Sequence, residues 1–132
     1  MAVFGRILPI GIWFCCICIK VYCLPDNTVV YKICNGIKFP YRSAYDYEVD
    51  RVVNDLVEET SNNGYDYYTE STDSGQGCYG HAACAGHLSH FDCNLCLVNA
   101  RYDLINGCPN NTGAQEELKD CRMRYENYPF VE

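Results

Sequence analysis

The stretch GYDYYTESTDSGQGCYGHAACAGHLSHFDCNLCLVNARYDLINGC, residues 64–108, contains the spacing Cys84-x8-Cys93-x2-Cys96 and ends on Cys108. Tyr65 to Thr69 follows the breaker Ser61-Asn62-Asn63-Gly64 and is aromatic enough to read as a strand. Thr72 to Gly77 is dense in turn-forming residues, and Cys78 to Ala83 reads as a second strand. Ser89 with Asp92 three residues later is a helix-start signature. The helix it opens is expected to run through Cys93, Cys96, Leu97, Ala100 and Leu104 to about Ile105, where Asn106-Gly107 stops it.

The same reading extends outward. Asn27 to Cys34, with Val29, Val30, Tyr31 and Ile33, predicts an opening strand, and Gly36 to Tyr41 a loop. Ser43 and Asp46 repeat the cap signature, and Tyr45, Val49, Val52, Val53, Leu56 and Val57 recur at helical spacing. Gly113 to Tyr128, broken near Lys119-Asp120, supplies two more strands. The expected fold class is α+β: two helices packed on an antiparallel sheet of about five strands.

Upstream, Met1 to Arg6 is a short start with one positive charge, and Ile7 to Ile19 is a run of thirteen mostly apolar residues that Lys20 breaks. Such a run falls short of the ~18 residues a spanning helix needs, so residues 1–23 read as a signal peptide. Val21 and Cys23 suit the positions before a cleavage site, and residues 24–132 are expected to be a single mature domain. Cys15, Cys16, Cys18 and Cys23 would leave with the leader, so seven of the eleven cysteines remain. A core of this size is marginal, and exported domains of the class add cross-links worth about 2–4 kcal/mol each. The net charge of −7 becomes more negative once Arg6 and Lys20 are removed. That balance argues against nucleic acid or an anionic membrane as partner.

Cys84, His87, His90, Cys93 and Cys96 fall at intervals of three, a pattern zinc would accept. Export to an oxidising compartment, three further cysteines distant in sequence and the Ser89 cap oppose it, and no metal or cofactor is expected. The Cys93-Asn94-Leu95-Cys96 pair lies inside a helix rather than at a helix start after a strand, which disfavours a redox role. No nucleophile motif such as G-x-S-x-G is present, and the chain is not expected to be an enzyme. Tyr65, Tyr67 and Tyr68 read as sheet packing rather than a sugar-stacking platform. Six cysteines allow fifteen pairings, and spacing does not choose among them.

The 64–108 block, its Cys-x8-Cys-x2-Cys core, the GYDY before it and the late Cys121 followed by Tyr125-Glu126 resemble the ginkbilobin family of secreted plant cysteine-rich proteins. The resemblance runs from Asn27 to Phe130. It implies three disulfides, Cys34–Cys108, Cys84–Cys93 and Cys96–Cys121, and leaves Cys78 odd. It also implies an antifungal defence protein of the plant apoplast that binds mannose-containing glycans of the fungal cell wall. Cys78 is either a buried thiol or the link of a disulfide-bonded dimer, and cleavage before Cys23 would open a Cys23–Cys78 bridge.

Mannose offers vicinal hydroxyls that both donate and accept, so a site needs a carboxylate, an amide and a donor fork. In the family an Asn after the first cysteine, an Arg before the last one and a Glu after it fill those roles. By resemblance they fall on Asn35, Gln115 and Glu126, with Gln115 where the Arg belongs. Gln carries no charge and no planar fork, and losing one charge-assisted hydrogen bond costs about 1.5–3 kcal/mol. Arg122, Arg124 and Glu126 alternate along a strand and are expected to share a face, which makes either Arg a substitute donor. Should sugar binding have lapsed, the same fold would serve as a protein-interaction module. Asn110-Asn111-Thr112 is a glycosylation sequon with Asn110 as acceptor, five residues before Gln115.

Overall fold

A computed structural model describes residues 24–132. The signal peptide expected over 1–23, and Cys23 with its optional bridge, lie outside the described residues. The elements follow in the order β1 (Val29–Cys34), α1 (Ala44–Glu59), a 3-10 turn (Thr60–Asn62), β2 (Asp66–Ser71), β3 (Cys78–Cys84), α2 (His90–Gly107), β4 (Ala114–Leu118) and β5 (Cys121–Glu126). The strands form one antiparallel sheet in the order β1-β4-β5-β3-β2.

Both helices lie on one face. The stripe predicted for α1 is the one that is buried, Tyr45, Val49, Val52, Val53, Leu56 and Val57. It meets the inward positions of the sheet, among them Cys78, Ala82, Ala114, Leu118, Met123 and Tyr125. α1 approaches β3 so closely at Gly80 that a Cβ there would lie 2.4 Å from Val52 Cγ1. Only a hydrogen fits in that gap.

The two caps differ. Ser89 Oγ accepts from the Asp92 N–H at 3.0 Å, as its signature predicts. Ser43 is the N-cap of α1 by position, yet its hydroxyl is buried without a partner, which corrects the expected capping box. Arg42, in the left-handed region at φ 57, donates its own N–H to Asp46 Oδ2 at 2.8 Å and takes the carboxylate that Ser43 would have shared.

The disulfides are Cys34–Cys108, Cys84–Cys93 and Cys96–Cys121, with Cα atoms 5.4, 5.7 and 6.1 Å apart. This is the pairing the resemblance implies, and it consumes the thiols that a metal cluster would have required. Every bridge has one end in α2 or at its C-cap, Cys108, so the helix is stitched to β1, β3 and β5. Cys78 is free, fully buried on the inner face beneath α1. Its sulfur has no exposed surface, so a dimer linked through it would require the fold to open locally.

Two carboxylates are buried on the same side, Glu48 of α1 and Glu116 of β4. Glu116, 1% exposed, has no hydrogen-bond partner on either oxygen. Lys32 Nζ, across the β1–β4 pair, comes within 3.7 Å. Burial outweighs that cation and pushes the carboxyl up to about 7.

Candidate functional site

Among the described residues no helix lies on the outer face of the sheet. Outward positions therefore line up in rows, and one row runs Ile33, Gln115, Arg124, His81, Tyr68 from β1 to β2. In a second row Glu126 of β5 stands opposite Tyr79 of β3, which stands opposite Glu70 of β2. Gly113, just before β4, adjoins Glu126 at the other end of this row.

Asn35 and Glu126 converge on Gly113. A Cβ at that glycine would lie 1.9 Å from Glu126 Oε2 and 3.1 Å from Asn35 Nδ2, so carboxylate and amide face each other across the space of one missing methyl. Asn35 is anchored on three sides. Its N–H donates to Gly113 O at 3.0 Å, its Oδ1 accepts from the Ile37 N–H at 3.0 Å, and its Nδ2 donates to Thr112 Oγ1 at 2.7 Å. The loops that hold it are tied by buried Asn111, whose Oδ1 accepts from the Gly36 N–H and whose Nδ2 donates to Pro109 O. Tyr125 reaches through from the core to donate its hydroxyl to Asn111 O at 2.9 Å.

Glu126 is only 6% exposed. Burial raises its pKa and Arg124 opposes the shift. Arg124 Nε donates to Glu126 Oε1 at 3.1 Å, and Arg124 lies directly opposite Gln115 in the β4–β5 pair. The guanidinium thus stands one strand over from Gln115. Arg122, Arg124 and Glu126 do share the outer face, and of the two arginines Arg124 is the one bonded to Glu126.

Residues 127–132 cross the outer face. Glu132 Oε2 lies 2.6 Å from His81 Nδ1, its Oε1 accepts from Arg124 Nη1 at 3.2 Å, and its N–H donates to the Tyr68 hydroxyl at 2.8 Å. His81 Nε2 meets Asp66 Oδ1 at 2.5 Å. Phe130 lies under the Arg124 guanidinium, with the cation 4.1 Å from the ring centroid.

Two clefts flank this ground. One, of about 260 Å³, is lined by Tyr68, Thr69, Glu70, Tyr79, Gly80, Pro129 and Phe130. The other, of about 280 Å³, lies by Phe39, Tyr45, Gln76, Gly77, Thr112 and Asn127. Tyr65 and Tyr67 pack as expected, their hydroxyls bound to Leu88 O and Asp55 Oδ2. Tyr68 does not fit that reading: it is turned outward, stacked on His81 with centroids 4.1 Å apart, and forms a wall of the first cleft. Asn110 sits at a turn with φ 56 in the 109–113 loop, and its carbonyl accepts from the Phe39 N–H.

Gly113, His81, Phe130 and Glu132 were not singled out as site residues by the sequence, and Thr112 only as part of the sequon. Gly113 is recognisable only from what crowds it, and His81 and Glu132 are 51 residues apart. Tyr79 and His81 share the outer face of β3, and no sequence signal said which residues would cover them.

The chain is 33% identical over 108 residues to the antifungal protein ginkbilobin-like protein of Picea abies, covering 80% of this chain and 99% of that one. It is 35% identical over 107 residues to the antifungal protein ginkbilobin-2 of Ginkgo biloba, covering 80% of each. Among solved structures, the tandem DUF26 ectodomain of the Arabidopsis thaliana cysteine-rich receptor-like protein PDLP8 superposes with a TM-score of 0.74 at 23% identity. That match covers 80% of this chain and 51% of the ectodomain, so the chain spans about half its length. The family described as salt stress response/antifungal matches residues 33–128. With the family match and these relatives agreeing, the chain belongs to the salt stress response/antifungal family and is a homologue of the ginkbilobin antifungal proteins.

Proposed function

We propose that this protein is a secreted antifungal defence protein that binds mannose-containing glycans through Asn35, Gln115, Arg124 and Glu126. The observation that carries the reading is the meeting of the Asn35 amide and the Glu126 carboxylate over Gly113, with a guanidinium bonded to that carboxylate. An amide, a carboxylate and a fork are the three groups vicinal hydroxyls require. Arg124 supplies the fork from β5 where Gln115 on β4 cannot. Its donors are partly committed to Glu126 and Glu132, which points to weak monosaccharide binding.

The rest of the reading is consistent with export. Three disulfides persist in an oxidising compartment such as the apoplast, and relatives are named as antifungal proteins. No helix among the described residues is long and apolar enough to cross a membrane. The chemistry on the outer face is that of a binding protein rather than an enzyme.

Calorimetric titration of the oxidised protein with mannose and mannan oligosaccharide tests this. Binding should be lost in Glu126→Ala, weakened in Arg124→Ala and strengthened about tenfold or more in Gln115→Arg. Affinity unchanged in Glu126→Ala would remove the site. A second reading, a protein-interaction module that has lost sugar binding, is favoured by edge strand β1, which leaves Val29, Val30, Tyr31 and Ile33 exposed. It takes over if the native protein binds no glycan and Gln115→Arg does.

A further inference from the structure

We infer that the sugar site continues across the sheet into a second subsite, so that the ligand is an oligosaccharide of two or more residues rather than a single hexose; this rests on the reading above. The continuity is written in the strand register. Gly113, Glu126, Tyr79 and Glu70 belong to β4 or its lead-in, β5, β3 and β2, and they form one row on the outer face. Strands lie roughly 4.7–4.9 Å apart, so the row spans roughly 14 Å, more than one sugar ring.

The row alternates in chemistry as a glycan chain would require. Glu126 and Glu70 can accept hydrogen bonds from sugar hydroxyls, and between them Tyr79 offers a ring to the C–H face of a sugar. Space is provided on the far side by the cleft of about 260 Å³ lined by Tyr68, Glu70, Tyr79 and Phe130. Gly77 lets the Tyr79 ring lie where it does, since a Cβ there would come within 2.9 Å of Tyr79 Cε2.

The two ends of this track are mechanically joined. Arg124 bonds Glu126 on one side and lies over Phe130, the outer wall of the cleft, on the other. Glu132 fixes that wall by bonding Arg124 and Tyr68 at once. A ligand that orders Arg124 at the first subsite therefore also sets the width of the second. The polar and aromatic groups suit a neutral glycan; Glu126 and Glu70 disfavour an anionic one.

The test is titration of the oxidised protein with mannose and with a linear mannotriose, in the native form and in Tyr79→Ala and Glu70→Gln. Glu70 is exposed, so its variant keeps the fold if the tyrosine variant does not. The expected result is that mannotriose binds at least about tenfold more tightly than mannose, and that either variant abolishes this gain while leaving mannose affinity unchanged. Equal affinity for the two sugars overturns the second subsite and leaves the first standing. A gain that survives Glu70→Gln and a folded Tyr79→Ala also overturns it. No binding of either sugar overturns both readings.

Discussion

The two faces of the sheet are built by different rules. On the inner face side chains are held by fit: Leu56, Leu97, Ala100 and Leu104 are fully buried, and even Gly80 is dictated by the approach of Val52. On the outer face they are held by hydrogen bonds and ion pairs, among them Arg124 with Glu126 and Glu132. Packing is unforgiving of changed volume, whereas ion pairs and hydrogen bonds at a partly exposed face contribute less individually. Stability is therefore assigned to one side of the five shared strands and the proposed recognition to the other, and substitutions should separate them.

The largest separation is expected from the core. Leu97→Ala should cost about 2–5 kcal/mol in denaturant unfolding, and removal of the Cys96–Cys121 bridge a similar amount, while the folded fraction keeps its ligand affinity. A ligand affinity that falls with the Leu97 substitution in fully folded protein would break the division.

Glu116 gives the next largest effect and a pH signature. Its carboxyl stands at about 7 in the fold against 4.5 in the open chain, so the fold prefers it protonated. Its contribution is complete below pH 4.5 and is lost as pH rises through about 7. Glu116→Gln should flatten this decline and stabilise the protein above pH 8 by on the order of 3 kcal/mol, read from unfolding midpoints across pH. A native protein equally stable at pH 5 and pH 8 would contradict the assignment.

On the outer face Gly113→Ala should leave the unfolding midpoint nearly unchanged and abolish glycan binding, because the new methyl takes the place of Glu126 Oε2. Calorimetry and denaturant melts on one preparation measure both. The smallest effect belongs to Glu132→Gln. Loosening the clasp on Arg124 and His81 should cost about 1 kcal/mol or less and show as faster proteolysis after Tyr128.

The inner face was the legible one. The α1 stripe repeats at helical spacing and is the stripe that is buried, and Ser89 caps where its pattern says it should. Local rules suffice there because periodicity records which side meets the core. Ser43 shows their limit: the sequence pattern matches, but the left-handed turn at Arg42 redirects Asp46. The bridges were legible only through resemblance, since spacing leaves fifteen pairings open.

The outer face was half legible. Alternation predicted that Arg122, Arg124 and Glu126 share a side, and they do. It could not predict that Gln115 would find Arg124 as its cross-strand neighbour, because register is a property of two strands. Nor could it place Glu132 on His81, a contact between segments with no common pattern.

Cys78 carries a consequence for how the protein must be made. Burial pushes its thiol up to about 12, so in the finished fold it holds its proton and cannot attack a neighbouring disulfide. In the unfolded chain nothing protects it, and an odd thiol beside the six that pair among the described residues multiplies the wrong partners available during oxidation. The native fold is thus its own safeguard against scrambling, but only after it has formed. Replacing Cys78 by Ala should raise the yield of oxidative refolding and leave the purified protein's properties as they were, marking this thiol as a hazard of biosynthesis rather than a part of the working molecule.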